Sequence, residues 1–191
     1  MADKHRRVGA ANTIRGGQIP LWLAVHEAGH VIASLQLVAA WRLTGLDNPV
    51  CLESVRVWIE RDGTPRGLCR WGYNEPLSFK YNAIVSAAGP AAEARIRHAK
   101  PYDCLTASED YEIIMRSVRH GVADVDQALN EAGFIIGACW PEIMKLGIHL
   151  QTHNEMTFPD ISALLDLKNG RCIYDEGTRP DVRHGRLRDV Q

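Results

Sequence analysis

The stretch His26-Glu27-Ala28-Gly29-His30 lies inside a run that is apolar on both sides, Leu21-Trp22-Leu23-Ala24-Val25 before it and Val31-Ile32-Ala33-Ser34-Leu35 after it. No other feature constrains the chain as strongly. A solvent-exposed helix would not surround its histidines with Val25, Ala28, Val31, Ile32 and Leu35, so this helix is expected to be buried, and two histidines with a glutamate inside a core need a partner. On an α-helix, positions four apart lie about 40° from each other in projection, so the imidazoles of His26 and His30 can reach one metal ion. Glu27 then sits beside the metal and need not be a ligand. Two neutral imidazole nitrogens at about 2.0–2.1 Å hold Zn²⁺, and a catalytic site leaves one position open for a water that the metal acidifies and a neighbouring carboxylate can deprotonate. The bland alternative is a buried helix whose histidines happen to fall four apart, because a short motif is a hypothesis until its context supports it.

The rest of the composition narrows the setting. A chain of 191 residues with 46% apolar and 24% charged residues suits one globular domain. A formal net charge of −1 provides no field that would draw nucleic acid or an anionic membrane, so no nucleic-acid partner is expected. The longest apolar stretch, from Val31 to Trp41, is interrupted by Gln36 and falls well short of the roughly 20 residues of a membrane span. The polar start Met1-Ala2-Asp3-Lys4-His5-Arg6-Arg7 is followed by no hydrophobic export signal, and the simplest address is cytoplasmic. Cys51, Cys69, Cys104, Cys139 and Cys172 are scattered without a C-x-x-C pair and read as free thiols, most of them packed as small apolar groups. His149 and His153 also stand four apart, but no carboxylate lies between them and they read as exposed helix residues.

Along the chain, residues 1–17 form a polar lead-in ending at Gly16-Gly17, residues 18–170 the domain, and residues 171–191 a charged tail. The pattern predicts a first helix from about Pro20 to Trp41 and a turn through Gly45, Asp47, Asn48 and Pro49. A β-hairpin follows, Ser54–Ile59 and Gly67–Tyr73 around Arg61-Asp62-Gly63-Thr64-Pro65. An extended peptide could add itself to its edge, which makes Gly67, Leu68, Cys69 and Arg70 candidate substrate contacts; a purely structural hairpin is the other reading. Phe79 to about Arg97 reads as a small-residue helix in which Gly89-Pro90 predicts a kink or a break. Ser108 is expected to cap a helix running on through Tyr111, Ile114 and Val118. Val122 to about His149 forms a long helical pattern with a bend at Trp140-Pro141, and a short helix from Pro159 to Leu167 ends before Gly170. The expected class is mainly α with a small β-hairpin or sheet, that is, α+β.

Together the blocks carry a resemblance. Ala24-Val25-His26-Glu27-Ala28-Gly29-His30, the hairpin with Val57-Trp58-Ile59 and Gly67, Ala88-Gly89-Pro90-Ala91-Ala92-Glu93, Thr106-Ala107-Ser108-Glu109-Asp110, and a C-terminal helical segment with Thr157-Phe158-Pro159-Asp160-Ile161 occur in the order seen in M41 peptidases. The chain thus resembles the protease domain of FtsH-type zinc metalloproteases over roughly residues 19–168. The resemblance implies a zincin-like helical architecture, one Zn²⁺ per chain, His26, His30 and Asp110 as its ligands, and Glu27 as the general base that activates water at the metal. Glu93 is implied as a supporting carboxylate that orients a ligand, or else as a structural ion-pair residue. Asp110 has an alternative role as a first-turn carboxylate stabilised by the helix dipole.

The departures matter as well. Gly89-Pro90 replaces the Gly-Gly usual in that family, and Glu109 rather than asparagine precedes Asp110. The 191 residues contain no Gly-rich phosphate loop, and they are not expected to unfold and thread a substrate by themselves. The expectation is an ATP-independent metalloendopeptidase acting on exposed or flexible segments of a polypeptide substrate, with self-association expected and a separate ATPase or adaptor as a candidate partner. The alternatives are a regulatory protease with one dedicated substrate, a non-catalytic zinc-binding or peptide-binding module on the same fold, and a metal-free helical scaffold that uses His26 and His30 as core residues.

Overall fold

The computed structural model describes residues 18–42, 50–73, 79–106 and 108–167. The lead-in of residues 1–17, the turn around Gly45 to Pro49, Gly170 and the charged tail lie outside the described residues. Helix α1, Leu21–Arg42, forms the centre. It packs against α2 (Phe79–Arg97), α5 (Val125–Ala138), α6 (Trp140–His153) and the strands β1 (Val50–Ile59) and β2 (Pro65–Tyr73). Ala24, Val25, Ala28, Val31, Ile32 and Ala33 are wholly buried. A helix apolar on every side is stable only when enclosed on every side, and this is the arrangement found.

Small residues set how closely the neighbours approach. A methyl group on Gly29 would stand 2.6 Å from the carbonyl oxygen of Ala88 and 2.9 Å from the Ala92 side chain, so α1 and α2 meet almost backbone to backbone. A methyl on Gly147 would stand 2.8 Å from Val25 Cγ2, which brings α6 similarly close. Replacing Gly29 by alanine is therefore expected to push α1 and α2 apart and destabilise the fold by about 1–3 kcal/mol, read as a lower denaturant midpoint. An unchanged midpoint would mean that the helices part without loss.

The sheet is antiparallel with order β2-β1-β3, where β3 is Glu155–Thr157. The hairpin register pairs Val57 with Gly67, Val55 with Cys69 and Leu52 with Trp71, and a bulge falls between Leu52 and Ser54. Val55 pairs on its other side with Met156. The long strand β1 is thus central, and β2 is an edge strand among the described residues.

The expected class is borne out: the chain is mostly helical with one small antiparallel sheet. Several local expectations are corrected. Gly89-Pro90 does not split α2, which runs continuously through Pro90. Its residues from Asn82 to Ala94 are buried, and this packing keeps the helix intact despite the missing donor. Ser108 does not cap α4 (Asp110–Arg119): the N-cap position is Glu109, without a side-chain cap bond, and the Ser108 hydroxyl donates back to the Leu105 carbonyl at 2.9 Å. That bond closes a helix absent from the sequence reading, α3 (Pro101–Thr106), because a serine hydroxyl satisfies whichever backbone group is nearer.

The long pattern after Val122 is two helices divided at Cys139, with Pro141 in the first turn of α6. Asp124 caps α5 by accepting from the Gln127 N–H at 2.6 Å. Asn154 ends α6 in the left-handed region at φ 65°, a conformation asparagine tolerates, and so turns the chain into β3. The last helix, α7, spans Phe158–Leu164 rather than 159–167, and the Asp160 carboxylate accepts from both the backbone N–H and the hydroxyl of Thr157, at 2.8 and 2.6 Å. Among the described residues no helix is long and apolar enough to cross a membrane.

Candidate metal centre

His26, Glu27 and His30 come from the middle of α1 and are 8%, 5% and 3% exposed. The two imidazole rings lie edge to face with centroids 4.8 Å apart. His30 Nδ1 donates to the Val85 carbonyl of α2 at 2.7 Å. A carbonyl oxygen only accepts, so this bond puts the proton on Nδ1 and leaves Nε2 with a lone pair whenever the ring is neutral. His26 Nδ1 is held in the same way by Glu93 Oε2 of α2 at 2.9 Å. Both histidines therefore turn Nε2 towards the same point.

Asp110 stands at that point. It enters from the first turn of α4, with Oδ2 3.2 Å from His26 Nε2 and Oδ1 3.4 Å from His30 Nε2. Ligand atoms at about 2.0–2.1 Å from a tetrahedral zinc stand about 3.3–3.4 Å from one another, so the approach of Asp110 to each Nε2, through a different oxygen for each, is of the length that two ligands of one ion have. Glu27 also belongs to the cluster, its carboxylate lying within 4.8 Å of both imidazoles. Its Oε2 is buried without a hydrogen-bond partner. His26, Glu27 and His30 thus form a buried group that could hold a metal ion, and the Asp110 carboxylate stands against both of its Nε2 atoms.

Two glycines make room for this geometry. A methyl group on Gly89 would overlap the His30 ring and stand 2.7 Å from His26 Nε2, so the backbone of α2 forms the floor of the cluster. A methyl on Gly67 would overlap the Glu27 carboxylate, so β2 crosses directly over it. Cys69, next on the inner face of β2, is buried, and Trp71 beyond it lies 5.7 Å from the His30 ring, anchored by its Nε1–H donating to Asn82 Oδ1 at 2.8 Å. Leu68 and Arg70, the other candidate contacts, face solvent.

The charges are mutually dependent. Burial pushes the His26 imidazolium pKa down, but bonds to Asp110 and Glu93 and the nearby Glu27 charge outweigh it and hold the pKa up at about 10. Burial acts in the same direction on His30, and Asp110 again reverses it. The Asp110 carboxyl is raised by burial but held well below the usual range by His30 and His26. Burial dominates at Glu27 and raises its pKa despite both histidines. The Cys69 thiol is raised by burial, with Glu27 and Asp110 adding to the effect. A buried set of this kind needs compensating positive charge, which protons on the imidazoles or a divalent cation can supply.

Glu93 extends the cluster outward. Burial alone would raise its carboxyl, but His26 and Arg97 keep it low, and Arg97, one turn on, binds its other oxygen while lying 5.3 Å over the Trp22 ring. Replacing Glu93 by alanine should leave His26 free to rotate and weaken zinc binding about 10–100-fold, measured by competition with a chelating dye. Unchanged affinity would reduce Glu93 to a structural ion-pair partner.

The other sequence candidates stand apart. The rings of His149 and His153 are stacked at 3.8 Å on α6, with His153 exposed and His149 partly so, and among the described residues they belong to no group of three that could hold a metal ion. Cys69, Cys104 and Cys139 are buried. Sequence reasoning missed Val85, Arg97 and the backbone approach at Gly29. The only legible signals were Arg97 one helical turn beyond Glu93 and the glycine inside the histidine motif. Compared with known proteins, the sequence matches no family profile and no curated protein.

Proposed function

We propose that this chain is a zinc-dependent peptidase with an M41-like site, acting on extended polypeptide segments without ATP. The observation that supports the reading best is that both Nδ1 atoms are tied off by the neighbouring helix, so both Nε2 atoms meet the Asp110 carboxylate while Glu27 keeps a free buried oxygen beside them. His26, His30 and Asp110 would hold the metal, and three protein ligands are the number that leaves a position open. Zinc there would supply a Lewis acid that polarises the scissile carbonyl and makes an attacking water more acidic. Glu27, its pKa raised by burial, takes the proton from that water and returns it to the departing amine.

The edge strand β2 supplies backbone groups along which a substrate segment can lie in extended form, directly over Glu27. Glu93 and Val85 hold the imidazoles without touching substrate. Self-association and delivery of substrate by a separate ATPase or adaptor are part of the proposal on the strength of the resemblance. The test is hydrolysis of an unfolded protein by the zinc-loaded chain, with fragments read by mass spectrometry. Zinc uptake with peptide binding but no cleavage would favour the non-catalytic module.

A further inference from the structure

If a peptide lies along β2, the strand's own side chains determine what it accepts, and the inference rests on that reading. Side chains alternate along a strand. Gly67 faces Glu27 and Cys69 the core, while Arg66, Leu68 and Arg70 face outward and are exposed, Leu68 by 44%. The register places Arg66 opposite Trp58, Leu68 opposite Arg56 and Arg70 opposite Ser54 on β1. Arg56 is already engaged, by Glu155 of β3 at 3.9 Å and over the Trp58 ring at 5.3 Å. Arg66 and Arg70 form no ion pair among the described residues, and Asp62 in the turn is the acidic group that interacts electrostatically with Arg66. Two available guanidinium groups thus flank an exposed leucine on the edge of the sheet, beside the strand segment that covers Glu27.

We propose that Arg66 and Arg70 make this edge selective for acidic peptides, and specifically for an extended segment with acidic side chains four residues apart and an apolar one midway. Residues directly opposite each other on paired strands project to the same face. A peptide seated on β2 therefore sets three alternate side chains against Arg66, Leu68 and Arg70, and turns the residue opposite Gly67 towards Glu27. Guanidinium groups suit this role because their planar donors match a carboxylate.

The test uses the zinc-loaded Glu27→Gln protein and fluorescently labelled peptides of the pattern Glu-x-Leu-x-Glu, with Gln and Lys versions, followed by anisotropy. The Glu peptide is expected to bind about tenfold more tightly than the Gln peptide, and the Lys peptide more weakly still. The preference should shrink as salt is raised. Adding Arg66→Glu and Arg70→Glu should reverse the order in favour of the Lys peptide, and Arg66→Gln with Arg70→Gln should abolish the preference, each at unchanged zinc content. Equal binding of the three peptides, or an acidic preference that survives charge reversal, overturns the proposal and leaves the arginines as guards against strand pairing between copies. Equal binding together with cleavage by the unsubstituted protein would leave the peptidase reading standing. No binding and no cleavage of any peptide overturns both.

Discussion

Glu27→Gln is expected to lower the rate of peptide hydrolysis about 10²–10⁴-fold while leaving zinc content at about one per chain. The substitution is nearly isosteric, and Glu27 is in the cluster without being the group in contact with both Nε2 atoms. It removes a carboxylate whose Oε2 is buried and unbonded and whose pKa is raised by burial, so proton transfer is lost and coordination is kept. Elemental analysis and a fragment assay on the same preparation separate the two effects. Full activity in the glutamine variant would remove Glu27 from the reaction. Loss of zinc would make it a ligand.

Asp110→Ala is expected to have the larger effect on metal. It removes the carboxylate that stands 3.2 and 3.4 Å from the two Nε2 atoms, so its effect on zinc affinity should exceed the roughly 10–100-fold loss that follows removal of a supporting partner. A ligand that binds only the folded state stabilises it by about 2.7 kcal/mol at a hundred times its Kd, which for a chain of this size is about 5–10 °C in Tm. Adding a chelator should therefore lower the Tm of the unsubstituted protein by that amount and leave the Asp110→Ala variant nearly unmoved. Equal zinc content in the two proteins would exclude Asp110 as the third ligand and direct attention to Glu27.

Legibility in the sequence followed the range of the interactions. The histidine pair and the enclosure of α1 could be read because both follow from a single helix, its period and its unbroken apolar surroundings. Asp110 lies 84 positions from His26, and nothing local distinguishes it from an ordinary first-turn acid; only the resemblance of the block order to the M41 peptidases implied it. Ser108 illustrates the opposite case. Its residue type suits a cap, but the carbonyl of Leu105 was closer, and α3 had no pattern long enough to announce itself. Strand β3 was invisible for a similar reason: its exposed-buried-exposed alternation spans three residues, too few to mark a strand, and their pairing with β1 exists only because α6 ends at Asn154 beside it.

The sequence by itself determined that a buried helix carries two histidines and a glutamate on adjoining positions, and that a hairpin and small-residue helices accompany it, because helical period, apolar run length and turn residues are local properties. Tertiary structure alone decided which nitrogen of each histidine faces the centre, through Val85 and Glu93, and which of the chain's acids reaches it. It also decided that the strand edge crosses Glu27 at Gly67. Those outcomes depend on how closely α1, α2 and β2 approach one another, and that distance is set by the missing side chains at Gly29, Gly67 and Gly89, whose consequence appears only when the elements are packed together.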